Sequence, residues 1–256
     1  MLFSASKFSF FKFILKIDMF FNQIRNQKVG STQILNYLTQ LGGDNKRPYV
    51  YDDAMCDIHE NLNRRNFINL KNLTKVTDYS DGVLRFMFVR HPLERLVSAW
   101  HDKFSINTKP IGDIPTRIWP LIGSDIIRRF RPNATEEEIK AGHPVSLEEF
   151  FKYLVFYKDH LFKINQHWRR MSDICNICIV KYDYIGHLDS MDAELKYIVA
   201  VATGQSKVLD VANPDKVYGR DDSELKKIPM ELLKDIINIY RDDFDAFGFK
   251  VPEWIH

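Results

Sequence analysis

Cysteine is scarce in this sequence, and its scarcity excludes two kinds of architecture. Three cysteines among 256 residues are too few for a disulfide scaffold. Cys56, Cys175 and Cys178 also fall short of the four ligands that a structural zinc site needs. We therefore expect neither a disulfide-rich fold nor a metal centre.

Long hydrophobic runs and an excess of one charge are absent too. The first 24 residues are apolar, but lysines and an aspartate interrupt them, so no stretch reaches the ~18–20 apolar residues of a spanning helix. A formal charge of +2, from 36 basic against 34 acidic residues, argues against bulk binding of nucleic acid. We expect an N-terminal lead-in at residues 1–17, to which no role is assigned, and a single domain over residues 18–256.

Strand patterns alternate with helix patterns along the chain, which predicts an α/β fold with a mainly parallel sheet flanked by helices. The segment 83–89 is apolar on both faces, as central parallel strands are. The segment 105–145 has no clear periodicity and is expected to be irregular. The predicted strands are 19–24, 83–89 and 177–183, and the predicted helices begin at Ser31 or Thr32, at Pro92, and at residues 146, 189 and 229. The last of these helices is predicted as a single one over residues 229–249 that ends near Gly248.

The segment KVGST (28–32) has the composition of an anion-binding loop. Gly30 lets backbone N–H groups approach a ligand, the helix after Ser31 and Thr32 supplies partial positive charge, and Lys28 adds a full one. The segment lacks the GxxxxGK[ST] pattern of a Walker A loop. Taken alone, these five residues are equally compatible with an ordinary capped turn.

A second anion site is predicted where VLRFMFV ends in Arg90, because ligands of open α/β sheets bind beyond the carboxyl ends of the strands. Arginine offers a rigid fork of donors that suits phosphate. Ser98 falls away from the apolar stripe of the following helix and is able to add a hydrogen bond. A structural Arg90 with a solvated Ser98 is the alternative. Both anion sites together would suit a ligand with phosphates at two ends, such as a phosphorylated nucleotide.

The motif VRHPLERLVSAW resembles the 3′-phosphate-binding motif of the Golgi carbohydrate sulfotransferases, in the group of the HNK-1, chondroitin 4-O- and dermatan 4-O-sulfotransferases. KVGST is similar to the 5′-phosphosulfate loop of that family, although Gln27 stands where the family usually has proline. The likeness continues in family order through IIRRFRPNAT, SLEEFFKYL, NQHW, CNICIVKYDYIGHLDSMD and IYRDDFDAFGF.

The resemblance implies a single P-loop-like sulfotransferase domain and the donor 3′-phosphoadenosine-5′-phosphosulfate (PAPS), with no metal. The sulfuryl group would pass to a sugar hydroxyl of a glycosaminoglycan-like acceptor, with a chondroitin or dermatan 4-O position as the leading candidate. By that resemblance one loop would hold the 5′-phosphosulfate, and two residues elsewhere in the chain would hold the 3′-phosphate. The loop residues are Lys28, Val29, Gly30, Ser31 and Thr32, and the pair is Arg90 and Ser98.

Two histidines are candidates for the general base that takes the proton of the acceptor hydroxyl, and Lys28 is the candidate to stabilise the leaving charge. His59 lies between the two donor motifs, where related glycosaminoglycan sulfotransferases keep a catalytic histidine. His167, in NQHW, is the second candidate. The alternative for each is a histidine that caps a helix or lies at the edge of the core.

A basic cluster of Arg128, Arg129 and Arg131, with Arg169 and Arg170, is the candidate binding surface for a uronic-acid polymer, because arginine forks match carboxylate and sulfate. A charge run is also typical of a solvated face.

The resemblance also implies a lumenal Golgi location with membrane association, although no anchor is visible in the sequence. Asn72 and Asn133 open Asn-X-Thr sequons that would be glycosylated on that route. Cys175 and Cys178 match a pair in the family, and both a disulfide and two separate thiols remain open.

Two other functions fit the sequence less well. A non-catalytic glycan- or nucleotide-binding relative would have kept the fold and lost turnover, and Gln27 is compatible with it. A nucleotide kinase is disfavoured, because the sequence lacks both the Walker A lysine position and a clear magnesium-binding carboxylate motif.

Overall fold

The computed structural model describes residues 86–105, 118–163, 165–203 and 222–255. These residues fall into two compact units, the first with 86–90 and 171–203 and the second with 91–105, 118–163, 165–170 and 222–255. The predicted strand 19–24 and the predicted helix after Ser31 or Thr32 lie outside the described residues. Mostly helices and a small parallel sheet are described, which is compatible with the predicted α/β class.

The first unit contains the sheet. Strand β1 (Phe86–Val89) pairs in parallel with β2 (Tyr184–His187), and Val89 lies opposite His187. All four residues of β1 have no exposed surface, as predicted for a strand that is buried on both faces. The helices of this unit are α5 (Met171–Ile174) and α6 (Met191–Thr203), which follows a 3₁₀ turn (Leu188–Ser190).

The predicted strand at 177–183 is wrong, because the chain makes a turn there and pairs further along, at β2. Asn176 adopts a left-handed backbone with φ of 48°, and its carbonyl accepts hydrogen bonds from the backbone N–H groups of Ile179 and Val180. Asparagine tolerates this conformation better than most residues. Ile179 is 50% exposed, so the apolar run does not form a buried strand.

The second unit is helical and packs around Trp168, which is fully buried. The indole of Trp168 lies 5.8 Å from the ring of Phe104 and 5.4 Å from that of Phe150. The helices of this unit are α1 (Pro92–Phe104), α2 (Ile118–Phe130), α3 (Glu136–Ala141), α4 (Leu147–Phe156), α7 (Met230–Ile239) and α8 (Arg241–Ala246), with 3₁₀ turns at Lys158–Lys163 and Leu225–Lys227.

Two helix predictions in this unit are confirmed in their start signals. Helix α1 begins at Pro92, whose missing N–H is no loss in a first turn. Helix α4 begins after Ser146, whose side chain accepts from the N–H of Glu149, while the Glu149 carboxylate accepts from the N–H of Ser146. This is the predicted capping box.

The segment 105–145 is not irregular throughout, because it contains α2 and α3. Pro120 lies in the first turn of α2, where proline is tolerated, and Gly123 allows the helix to approach Gly142 so closely that a Cβ at either position would overlap the backbone of the other segment. Thr135 and Glu138 form a second capping box at the start of α3. Proline and glycine usually interrupt helices, so the sequence pattern did not indicate α2, which contains both.

The predicted single helix at 229–249 is divided at Tyr240 into α7 and α8. Tyr240 has φ of −100° and ψ of 16°, outside helical values, and is buried. Gly248, with φ of 69°, follows α8 and ends the helical segment near the predicted position. Among the described residues no helix is long and apolar enough to cross a membrane.

Candidate functional site

The predicted 5′-phosphosulfate loop, Lys28 to Thr32, and the candidate base His59 lie outside the described residues. Their roles stay predictions. The structure describes the other candidates, each within its own unit.

Arg90 lies directly after β1 in the first unit and is half-buried. Because β1 and β2 are parallel and Val89 pairs with His187, Arg90 follows the carboxyl end of a strand whose neighbour ends at the same edge. The chain leaving β2 is held there by Glu194, which accepts from the backbone N–H of His187 at 2.8 Å and from the hydroxyl of Ser190. Arg90 thus has the position in which α/β sheets bind ligands.

Ser98 lies on α1 in the second unit and is half-buried. Leu93, Leu96 and Phe104 of the same helix are fully buried. The side chain of Ser98 therefore lies off the apolar stripe, as the helical spacing predicts.

The turn 165–170, which contains the NQHW motif, is held by two buried side chains, Arg95 and Tyr240. Arg95 of α1, only 1% exposed, donates from Nη1 to the carbonyl of Arg169 at 2.7 Å and from Nη2 to that of Gln166 at 2.9 Å. The buried hydroxyl of Tyr240 donates to the carbonyl of Trp168. Hydrogen bonds from a buried cation are among the stronger ones in proteins, so this turn is fixed in place.

His167 lies at the centre of that turn and is 8% exposed. Its Nδ1 and its backbone N–H both face the side-chain oxygen of Asn165, the latter at 3.0 Å. The imidazole lies edge-on to the Trp119 indole, with centroids 5.0 Å apart and planes at 89°. The ring of this candidate base is therefore restrained on both sides.

Arg131, a candidate for acceptor binding, makes its contacts within the protein. Nε and Nη2 donate to the two carboxylate oxygens of Glu149 at 2.8 and 2.9 Å, Nη1 donates to Glu138 at 3.2 Å, and Nη2 donates to the carbonyl of Pro144 at 2.8 Å. Four of the five guanidinium N–H donors are thereby used. Arg131 joins the capping boxes of α3 and α4, so its first role is structural.

The pKa of Glu149 reflects the same network. Burial acts to raise the pKa of this carboxyl, but the hydrogen bonds from Arg131 and from the backbone of Ser146 outweigh burial, and the pKa is lowered. The carboxylate of Glu149 is accordingly charged and fully engaged at neutral pH.

The remaining arginines of the cluster differ in their surroundings. Arg128 is exposed and has no ion-pair partner among the described residues. Arg129 is paired with Asp125 at 2.8 Å and lies over the ring of Phe156. Arg170 is paired with Asp242 at 2.6 Å. Arg128 and Arg129 of α2 are the exposed arginines of the cluster, whereas Arg131, Arg169 and Arg170 are half-buried.

Cys175 is buried and Cys178 is exposed, as two thiols rather than a disulfide. Among the described residues no group of three or more histidine, cysteine, aspartate or glutamate side chains could hold a metal ion.

Arg95 and Asn165 were missed in the sequence. At about 100° per residue, Arg95 lies on the far side of α1 from Leu93, where an arginine is expected to face solvent. The only hint was Ala99, one turn further along the same face, because a small apolar residue there suggests a second contact surface. Ala99 is fully buried.

Comparison with known proteins places the chain in a family. The model of the sulfotransferase family matches residues 13–250. Carbohydrate sulfotransferase 11 of Rattus norvegicus is 27% identical over 232 residues, which are 89% of this chain and 64% of the relative. Carbohydrate sulfotransferase 9 of Homo sapiens is 27% identical over 88% of this chain and 50% of its own length. Carbohydrate sulfotransferase 14 of Danio rerio is 30% identical over 66% of this chain and 44% of its own length.

The chain therefore spans no more than about two thirds of the length of these relatives. No solved structure gave a significant match. The matched family and the names of the relatives agree with the resemblance that the motifs carry. The chain belongs to the sulfotransferase family.

Proposed function

We propose that this protein is a PAPS-dependent carbohydrate O-sulfotransferase that transfers a sulfuryl group to a glycosaminoglycan-like acceptor, at a chondroitin or dermatan 4-O position. The observation that carries the proposal is Arg90 at the carboxyl end of a buried parallel strand, within a chain that a sulfotransferase model matches over residues 13–250. The names of the relatives support a carbohydrate acceptor. A P-loop-like domain fold and a lumenal Golgi location belong to the same proposal.

The proposed chemistry resembles phosphoryl transfer. The acceptor hydroxyl attacks sulfur in line with the bridging oxygen of the donor, the bond from sulfur to that oxygen breaks, and 3′-phosphoadenosine-5′-phosphate leaves. Lys28 would neutralise the charge that develops on the leaving oxygen. A histidine would accept the proton of the hydroxyl, and Arg90 with Ser98 would bind the 3′-phosphate.

The acceptor surface is proposed at Arg128 and Arg129 of α2. We expect Arg128→Ala to raise the KM for an acidic acceptor up to about fivefold while the KM for PAPS stays unchanged, since exposed ion pairs contribute up to about 1 kcal/mol. The effect should shrink in high salt. Lys140→Ala, which removes an exposed cation from α3, is the matched control. Equal KM values for both variants and the wild type would remove Arg128 from the acceptor surface.

The function is tested by incubating the protein with PAPS labelled in the sulfuryl group and with desulfated chondroitin, dermatan or an HNK-1-type glycan. We expect label in chondroitin or dermatan, and disaccharide analysis should locate it at the 4-O position. Label at another position would replace the acceptor assignment. Binding of donor without transfer to any acceptor would favour a non-catalytic relative instead.

A further inference from the structure

Asn165 has a role in this fold that follows from its contacts with His167. Its side-chain oxygen accepts from the backbone N–H of His167 at 3.0 Å. A backbone N–H can only donate, so the orientation of the Asn165 amide is fixed, with the oxygen rather than the NH₂ group toward His167. The same oxygen faces Nδ1 of the imidazole.

The protonation of the ring follows from that geometry. An amide oxygen has no proton to give, so Nδ1 must carry one and donate it. In the neutral imidazole the lone pair is then on Nε2. Asn165 therefore selects one of the two tautomers of His167. It does so through its side-chain oxygen, which is identified as oxygen because it accepts from the backbone N–H of His167.

The surrounding structure keeps Asn165 and His167 in this arrangement. The carbonyl of Asn165 accepts from the backbone N–H groups of Trp168 and Arg169, which closes the turn. Arg95 holds the carbonyls of Gln166 and Arg169 from the side of α1. The charged groups around this arrangement include Arg95, the turn's own Arg169 and Arg170, and Lys103, whose Nζ lies 4.8 Å from the centre of the Trp119 ring that packs on His167.

We propose that Asn165 is a positioning residue for sulfuryl transfer, because it holds His167 in the tautomer whose Nε2 accepts the proton of the acceptor hydroxyl. The inference rests on the proposed function and deepens it: between the two candidate bases it selects His167 and names the group that prepares it. In the transfer step the acceptor O–H proton moves to Nε2 as the bond from oxygen to sulfur forms. Nδ1–H keeps its bond to Asn165, which stabilises the imidazolium that results.

The tautomer is tested without activity, by two-bond ¹H–¹⁵N correlation spectra of protein labelled at histidine. His167→Gln identifies the signals of His167 by their loss. We expect Nδ1 to be protonated and Nε2 unprotonated in the wild type, and this pattern to be lost in Asn165→Ala and kept in Asn165→Asp. A wild-type spectrum with the proton on Nε2 would overturn the inference.

The catalytic part is tested by kinetics on three variants. We expect Asn165→Ala to lower kcat about 100-fold with an unchanged affinity for 3′-phosphoadenosine-5′-phosphate, because general base catalysis typically contributes 10²–10⁴-fold. Asn165→Asp keeps the acceptor atom and should retain most of kcat. Its carboxylate stabilises the imidazolium, so the acid limb of the pH–rate profile should move to higher pH. His160→Gln, at an exposed histidine of the same unit, should behave as the wild type.

The outcomes separate the inference from the proposed function. If the wild type transfers sulfuryl groups and Asn165→Ala or His167→Gln does so with the wild-type kcat, the inference fails and the function stands. If Asn165→Ala only lowers the melting temperature, with full kcat while folded, Asn165 is a structural cap and the inference fails. If the wild type transfers to no acceptor, the proposed function fails and the catalytic role of Asn165 fails with it.

Discussion

Replacement of Arg95 by methionine is expected to lower the free energy of unfolding by about 2–4 kcal/mol. Methionine keeps most of the buried stem but removes both donors to the turn 165–170, and each partly buried carbonyl left without its partner costs about 1–2 kcal/mol, in the lower part of the range for buried groups. Urea unfolding followed by circular dichroism measures the change. The amide hydrogens of residues 166–169 should also exchange faster, because the turn loses its support from α1.

Arg128→Met is the matched control for that experiment. It replaces an exposed arginine of the same unit, and surface substitutions of this kind usually stay within about 0.5 kcal/mol. Equal stabilities of the two variants would show that the hydrogen bonds of Arg95 do not hold the turn.

Replacement of Arg131 by alanine is the second change with a large expected effect. It removes the partner of a mostly buried carboxylate, which in buried pairs costs about 3–5 kcal/mol. Because the Arg131 side chain is 22% exposed and water can reach part of the pair, we expect about 2–3 kcal/mol. Arg128→Ala, three residues earlier, should lose little stability. A loss of acceptor binding by Arg131→Ala without a loss of stability would return Arg131 to the acceptor surface.

The same variant should change how stability depends on pH. The folded-state pKa of Glu149 is lowered, so its contribution is present above the ordinary carboxyl pKa of about 4.3 and is lost as pH falls through the lowered value. Without Arg131, burial acts with less opposition and raises the pKa of Glu149 relative to the wild type. In unfolding measurements from pH 3 to 7, Arg131→Ala should therefore lose less stability in acid than the wild type, because its Glu149 pKa is no longer held below the unfolded value, and the difference in stability between the two proteins should narrow as pH falls. Parallel curves for the two proteins would contradict this.

The sequence predicted the strand and the helix starts whose signals lie among a few neighbouring residues. The strand at Phe86–Val89, the start of α1 at Pro92 and the capping box at Ser146 each follow from residues within one or two turns. Helix α2 was not predicted, because proline and glycine usually mark interruptions of helices and strands. Gly123 instead serves a close approach to Gly142, which is a tertiary contact that no local pattern contains.

The candidate site shows the same division. The position of Arg90 at the end of β1 could be predicted from the sequence, because Arg90 directly follows the apolar residues of the buried strand. The partners of Arg131 and Arg95 could not, because Glu149 and Arg169 lie 18 and 74 residues away. In the sequence Arg131 belongs to a basic cluster and Arg95 is expected to face solvent. Only the packing of α3, α4 and the turn 165–170 gives these two arginines structural roles. The tautomer of His167 could not be inferred from the NQHW motif alone, because the inference depends on the hydrogen bond from the backbone N–H of His167 to the Asn165 side chain.

The most direct test of the account is a thermodynamic cycle on Arg90, measured by calorimetry with 3′-phosphoadenosine-5′-phosphate and adenosine 5′-monophosphate. Hydrogen bonds to charged groups contribute about 1.5–3 kcal/mol, so the wild type should bind the first nucleotide roughly 10–100 times more tightly than the second. In a folded Arg90→Ala variant that preference should nearly vanish, because the 3′-phosphate has lost its partner. A preference that Arg90→Ala leaves unchanged would contradict the placement of the donor nucleotide at the end of β1.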